Sequence, residues 1–164
     1  MAHALARAIP CPAISRDEIK EGMVHAYGGA FEPSAGDALT RRTFPLFFEV
    51  LRVLLAEDVT VVAEAAFQDP LWRQGLEPLT GLANLRIIRC IVEPAIAHRR
   101  YRDRGKRDAH ASIIGAEIDD WAGTYTSFAQ LSLAAPSIDV DTTDGYSPSI
   151  DAIIEFVNRE GQDG

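Results

Sequence analysis

At 164 residues and 47% hydrophobic composition, the chain can bury one sizeable core and hardly two, so a single domain over 1–164 is expected. Acidic side chains outnumber basic ones 24 to 16, and the net charge of -8 repels a polyanion, which argues against general nucleic-acid affinity and leaves a small anionic ligand open. The longest apolar run is broken by Glu49, Arg52, Glu57 and Asp58, and the first ten residues are broken by His3, Arg7 and Pro10, so neither a membrane span nor a secretory signal is read and a cytoplasmic location is expected.

In chain order, helical periods alternate with short β-branched runs, the pattern of a parallel sheet covered by helices. The first helix covers Met1 to Ile9, and a short strand follows over Pro12 to Ser15. Ser15 and Glu18 then have the spacing of a capping box, with Ile19 and Met23 on one face of the helix they open and Gly28-Gly29 closing it. From Ala38 to Glu57 a broad apolar stripe carries Leu39, Leu46, Phe47, Val50, Leu51 and Leu54, and Pro45 is expected to kink or restart the helix. The run from Val59 to Phe67 is too continuously apolar for a half-exposed strand and suits one buried on both faces, with Glu64 alone in it. Asp69 and Pro70 supply an N-cap and first-turn proline for a helix carrying Leu71, Trp72 and Leu76. Leu85 to Val92 is another buried strand, Ala95 to Arg104 a helix, Ser137 to Thr142 the last strand, and Pro148 to Arg159 the closing helix. Cys11 and Cys90 are expected to be reduced thiols packed as small apolar groups.

Several separated stretches resemble one family. The opening helix Ala2-His3-Ala4-Leu5-Ala6-Arg7-Ala8, the segment Ser15-Arg16-Asp17-Glu18-Ile19-Lys20, Glu64 at a strand end, the basic cluster from Arg99 to Arg107 and the turn Val140 to Pro148 together resemble the P-loop kinases, in particular polynucleotide kinases, chloramphenicol phosphotransferases and related bacterial ATPases. The resemblance implies a three-layer α/β/α fold around a parallel sheet. It also implies a strand and a loop of the form G-x-x-x-x-G-K-[ST] just ahead of the opening helix, where backbone N–H groups and the helix dipole meet the phosphates. The sequence contains no such motif, because its only Gly-Lys pair, Gly105-Lys106, lacks the upstream spacing. The expectation is therefore an incomplete chain, with Met1 an internal methionine and the central strand of the sheet missing between the strands near 59–66 and 85–92.

Residue by residue, the resemblance implies Asp17 as the base for an acceptor hydroxyl, Arg16 as a holder of the acceptor or phosphates, and Glu64 as the carboxylate that orients magnesium through water. It implies Arg100 and Arg104 as lid arginines, within a lid at about 95–115, that neutralise the transferring phosphoryl group. Thr143, Asp144 and Gly145 would line the adenine pocket, chiefly through backbone groups. Each has a plain structural alternative: dipole stabilisation of a first-turn acid for Asp17, a solvated strand end for Glu64, a solvated helix end for the arginines and His110, and an ordinary turn for residues 143–145. Asp139, Asp141 and Asp144 miss the spacing of a calcium loop, and the four histidines lack zinc spacing. The function expected is ATP- and Mg2+-dependent phosphotransfer to a small-molecule hydroxyl, negligible in the chain as given. A non-catalytic binding module or a gene fragment is the other reading.

Overall fold

The computed structural model describes residues 1–27, 38–67, 69, 71–104 and 131–159, with the side chains of Tyr101, Arg102 and Arg104 outside that description. The elements follow in the order α1 (Ala2–Ala8), β1 (Ala13–Ser15), α2 (Arg16–Tyr27), α3 (Ala38–Ala56), β2 (Val62–Glu64), α4 (Arg73–Leu76) continued by a 3-10 turn (Glu77–Leu79), β3 (Ile87–Ile91), α5 (Pro94–Arg104), β4 (Ser137–Asp141) and α6 (Ile150–Asn158). The Gly28-Gly29 stop, Pro70, Gly105-Lys106 and His110 lie outside the described residues.

All strand pairing is parallel. β1 pairs with β2, Ile14 opposite Ala63 and Ser15 opposite Glu64. β3 pairs with β4, Ile87 opposite Ser137 and Ile91 opposite Asp141. These are two separate two-stranded sheets among the described residues, with no ladder between β2 and β3. Because successive strand side chains point to opposite faces, β2 reveals the layering. Val61, Ala63 and Ala65 pack against the cluster formed by Phe47 and Leu51 of α3, Leu76 of α4, and the adjoining Trp72 and Leu79. Val62 packs the other way, against Leu5 of α1, Val140 of β4 and Ile153 of α6. Helices thus cover the strands on both faces, and the fold is of the α/β class.

α3 shows how patterning becomes packing. Leu39, Thr43, Phe47 and Leu51 recur every four residues and are the buried set, which identifies the narrow seam within the broader apolar stripe. Phe47 is fully buried and meets Phe48, Phe67 and Trp72, while Phe44 and Phe48 also meet the Trp72 ring. Ring centroids 4.9 to 6.1 Å apart and steep interplanar angles are the arrangement that the aromatic quadrupole favours. Pro45 does not restart α3: the helix runs through it, and Pro45 sits on the exposed side, where water can reach the carbonyl left without its N–H.

Other expectations are corrected by competing partners. The reciprocal capping box at α2 does not form: Glu18 pairs with His3 of α1 instead of reaching back to the Ser15 N–H, and Ser15 ends β1 with its hydroxyl donating to Glu64 at 2.7 Å. Asp69 does not cap the next helix. Its carboxylate faces Arg73 at 3.2 Å and accepts from the Ser132 N–H, and α4 begins only after Trp72, leaving Leu71 exposed. The strand expected over 59–66 is regular only over Val62–Glu64, because pairing with the three residues of β1 is the ladder available to it. The closing helix is capped by Ser149, whose side chain accepts from the Ala152 N–H. Both cysteines are free thiols, but Cys90 is exposed rather than packed away as a small apolar residue. No described helix is long and apolar enough to cross a membrane.

Two backbone positions lead to stability predictions. A Cβ at Gly75 would lie 2.3 Å from the Phe48 ring, which its aromatic neighbours hold in place. Gly75→Ala therefore gains about 1 kcal/mol of helix propensity but suffers overpacking of about 1–3 kcal/mol, and thermal unfolding should occur a few degrees lower. A raised Tm would contradict this close approach. At the other end of the effect, Asp58 follows α3 in the left-handed region at φ 57, while the N–H groups of Asp58 and Val59 bond to Leu55 and Leu54. Asp58→Gly relieves that backbone strain and should stabilise the protein by about 0.5–1 kcal/mol in urea unfolding.

Candidate functional site

The carboxyl ends of the strands carry most of the candidate residues. Ser15 ends β1 and leads directly into Arg16 and Asp17 in the first turn of α2. Its register partner is Glu64, the last residue of β2, and the 2.7 Å Ser15 Oγ to Glu64 Oε2 bond fixes the carboxylate at the strand end. Arg16 donates to Asp17 at 3.1 Å, with the Arg16 side chain only 17% exposed and that of Asp17 51% exposed. Among the described residues, no acceptor meets the buried Nε–H of Arg16. A buried, unsatisfied guanidinium donor costs free energy unless an acceptor reaches it, so this edge is suited to an incoming oxygen.

Cys90, in β3, links this edge to the second sheet. Although part of Cys90 reaches solvent, partial desolvation of its thiol raises the pKa, and the Glu64 carboxylate adds to the rise. A thiol shifted in that direction is a poor nucleophile at neutral pH, which argues against cysteine catalysis here.

At the end of β4 the chain forms a closed loop. Asp141 and Ser147 exchange both main-chain hydrogen bonds across an antiparallel bridge, and the residues between them turn at Gly145 with φ +80. Asp141 accepts from the Thr143 N–H at 2.7 Å, and this bond together with the Thr143 hydroxyl holds its carboxyl below the usual range. Thr142 donates to the Ile91 carbonyl through both its N–H and its hydroxyl, tying the ends of β3 and β4. The Glu93 N–H donates to the Thr143 hydroxyl, and Arg100 of α5 donates to the carbonyls of Thr142 and Thr143 at 2.8 and 3.0 Å.

The sequence-derived candidates therefore fall into two groups. Arg16, Asp17 and Glu64 belong to the β1–β2 edge, with Ser15 as the partner that residue types alone did not single out. Arg100, Thr143, Asp144 and Gly145 belong to the β3–β4 edge, with Asp141, which holds the Thr143 N–H, and Thr142, which reaches Ile91 about 50 residues away, as further members. α5 extends to Arg104, whose side chain lies outside the described residues. Among the described residues no cluster of three or more His, Cys, Asp or Glu side chains could hold a metal by itself.

Comparison with known proteins bears on the fold. No family model matches the sequence, and no curated protein matches it. Among solved structures, a protein of Chloroflexus aurantiacus J-10-fl described as a "putative kinase" is similar, with a TM-score of 0.77 and 22% identity over 95% of this chain and 87% of that chain. The likeness, at that identity, concerns the fold, which is α/β and kinase-like.

Proposed function

We propose that the chain is the body of an ATP- and Mg2+-dependent phosphotransferase acting on a hydroxyl of a small molecule. The observation that carries this reading is the placement of Asp17, paired with Arg16, directly after β1, beside a strand-end Glu64 held by Ser15. An exposed carboxylate in that position can accept the proton of a hydroxyl as its oxygen attacks a terminal phosphate. The unsatisfied Nε–H of Arg16 offers a donor to the acceptor or to a phosphate oxygen.

Glu64 suits magnesium only in part. Its oxygen is a hard ligand, but one oxygen accepts from Ser15 and Glu64 belongs to no group of three metal-ligating side chains among the described residues, so it would orient the ion through water rather than enclose it. Magnesium, when bound with the nucleotide, would neutralise phosphate charge; Ser15 and Glu64 would fix the carboxylate, Asp17 would hold the proton, and Arg16 would orient the acceptor. Arg104, at the end of α5, is proposed as a charge on the transferring group.

The phosphate cradle is not supplied by a G-x-x-x-x-G-K-[ST] segment of these 164 residues. In a parallel ladder alternate residues direct their backbone groups to opposite sides, so with Val62 and Ile87 bonded toward β1 and β4, the polar groups of Ala63, Ile88 and Cys90 are directed away from those partners. An apolar strand leading into a phosphate loop would pair with these edges, and a kinase of small acceptors is the function in keeping with the acidic net charge. The similarity to the Chloroflexus protein supports the reading at the level of fold.

Phosphotransfer from Mg-ATP is the test. The 164 residues alone should bind Mg-ATP with a Kd of about 1 mM or weaker, no more than about 4 kcal/mol. With a strand and G-x-x-x-x-G-K-[ST] loop joined ahead of Met1, turnover on small alcohols should appear, and Asp17→Asn should lower kcat by about 10²–10⁴ with the nucleotide KM little changed. Full activity in the Asn variant would remove Asp17 as the base, and tight ATP binding by the unextended chain would remove the need for a separate cradle.

A further inference from the structure

We propose that Arg100 is a positioning residue that sets the base-contacting edge of the nucleotide site, acting on the loop after β4 instead of on the transferring phosphoryl group. The inference rests on the nucleotide reading above and adds a role that the fold alone does not imply. Its basis is the acceptor set of one side chain. An exposed arginine on a solvated helix normally samples many rotamers, yet Arg100 directs three bonds to residues 42 and 43 positions away: Thr142 O at 2.8 Å, Thr143 O at 3.0 Å and Thr142 Oγ1 at 3.4 Å. The two carbonyls belong to consecutive peptides and are met by one nitrogen, Nη2, while Nη1 reaches the hydroxyl. A planar guanidinium is suited to such a fork, whereas an ammonium is a point charge on a flexible stem.

The loop is otherwise almost saturated on that side. The N–H and hydroxyl of Thr142 are bonded to Ile91, the N–H of Thr143 to Asp141, and the Thr143 hydroxyl accepts from Glu93. With Arg100 on the remaining carbonyls, residues 142 and 143 are tied down, and the groups left to meet a ligand are those of Asp144, Gly145 and Tyr146. Among the described residues nothing lies within 4 Å of a Cβ built on Gly145, which leaves the turn uncovered by them, and Tyr146 leaves 38% of its surface exposed. An accessible aromatic ring beside an uncovered peptide turn offers a stacking face and main-chain hydrogen bonds, the pair of features that a planar heteroaromatic base can use. A phosphate would find little here, since Asp141 and Asp144 flank the turn with negative charge.

Separate probes for base and phosphate test the assignment in the full 164-residue protein. Adenosine and inorganic tripolyphosphate are titrated by amide NMR into the native protein, Arg100→Lys and Arg100→Ala, and hydrogen exchange is followed at Glu93, Thr142 and Thr143. The expected result is that Arg100→Ala weakens adenosine binding about tenfold, leaves any weak tripolyphosphate binding unchanged, and speeds exchange at Glu93 and Thr143 about tenfold while Val140 stays protected. Arg100→Lys should be intermediate in both exchange and adenosine affinity, because it keeps the charge and loses the fork. A loss confined to tripolyphosphate, or exchange that does not change, overturns the proposal. If adenosine alone fails to bind the native protein, the base-edge role is wrong while the phosphate reading stands. If neither probe binds even at about 10 mM, the base-edge role is overturned and faster exchange in the variant marks a purely structural clamp, while the nucleotide reading is decided separately by turnover of the loop-extended chain.

Discussion

The two strand pairs are joined by apolar burial where no ladder joins them. Leu5 of α1, 2% exposed, packs in one cluster with Val62 of β2, Ile88 of β3, Val140 of β4 and Ile153 of α6. Burying a leucine side chain is worth about 1.5–3 kcal/mol, and the cluster that Leu5 belongs to draws in residues on both sides of the break between β2 and β3. A short helix of seven residues would not persist alone in water, so α1 depends on this packing as much as the strand pairs depend on α1.

That dependence extends to the chemistry. Each candidate group is anchored to a strand end: Glu64 by Ser15 across the β1–β2 register, and the loop after β4 by Thr142 on Ile91 across β3–β4. Parallel pairing brings the ends of adjacent strands to the same side within each pair, and the apolar cluster shared by Val62, Ile88 and Val140 holds the two pairs together. Polar groups gathered at the carboxyl edge of a parallel sheet are the usual setting for ligand binding in α/β folds. The opposite charge pair Arg89–Asp139, directly opposed in the β3–β4 register, stabilises strand alignment instead of joining the edge.

Sequence reading went wrong where a local rule met a distant partner. Ser15 and Glu18 have capping-box spacing, yet the Glu18 carboxylate that would reach back to the Ser15 N–H pairs with His3 of α1, and the Ser15 hydroxyl is oriented toward Glu64, 49 residues on. Asp69 likewise has cap spacing but meets Arg73 and Ser132. Pro45 was expected to kink or restart a helix and does not restart it, since tertiary burial of Phe47 and Leu51 carries α3 past the missing hydrogen bond on its exposed side. In the site, Asp17, Arg16 and Glu64 could be singled out because charge at a strand end or first helical turn is visible in sequence. The partnership of Arg100 with Thr142 and Thr143 was not, because no local pattern encodes a contact 42 residues away.

Periodicity by itself determined the alternation of helices and buried strands and hence the α/β class, because side-chain spacing of 3.6 or 2 is a property of the backbone that any contiguous segment expresses. Composition determined that one core could form and that its surface would be acidic. Only the tertiary structure decided which strands pair, that β2 and β3 share a core without a ladder, and which hydroxyls, carboxylates and guanidinium groups meet. Those outcomes depend on competition among distant donors and acceptors for a few short bonds, and such competition is resolved only when the packed elements bring the partners within reach.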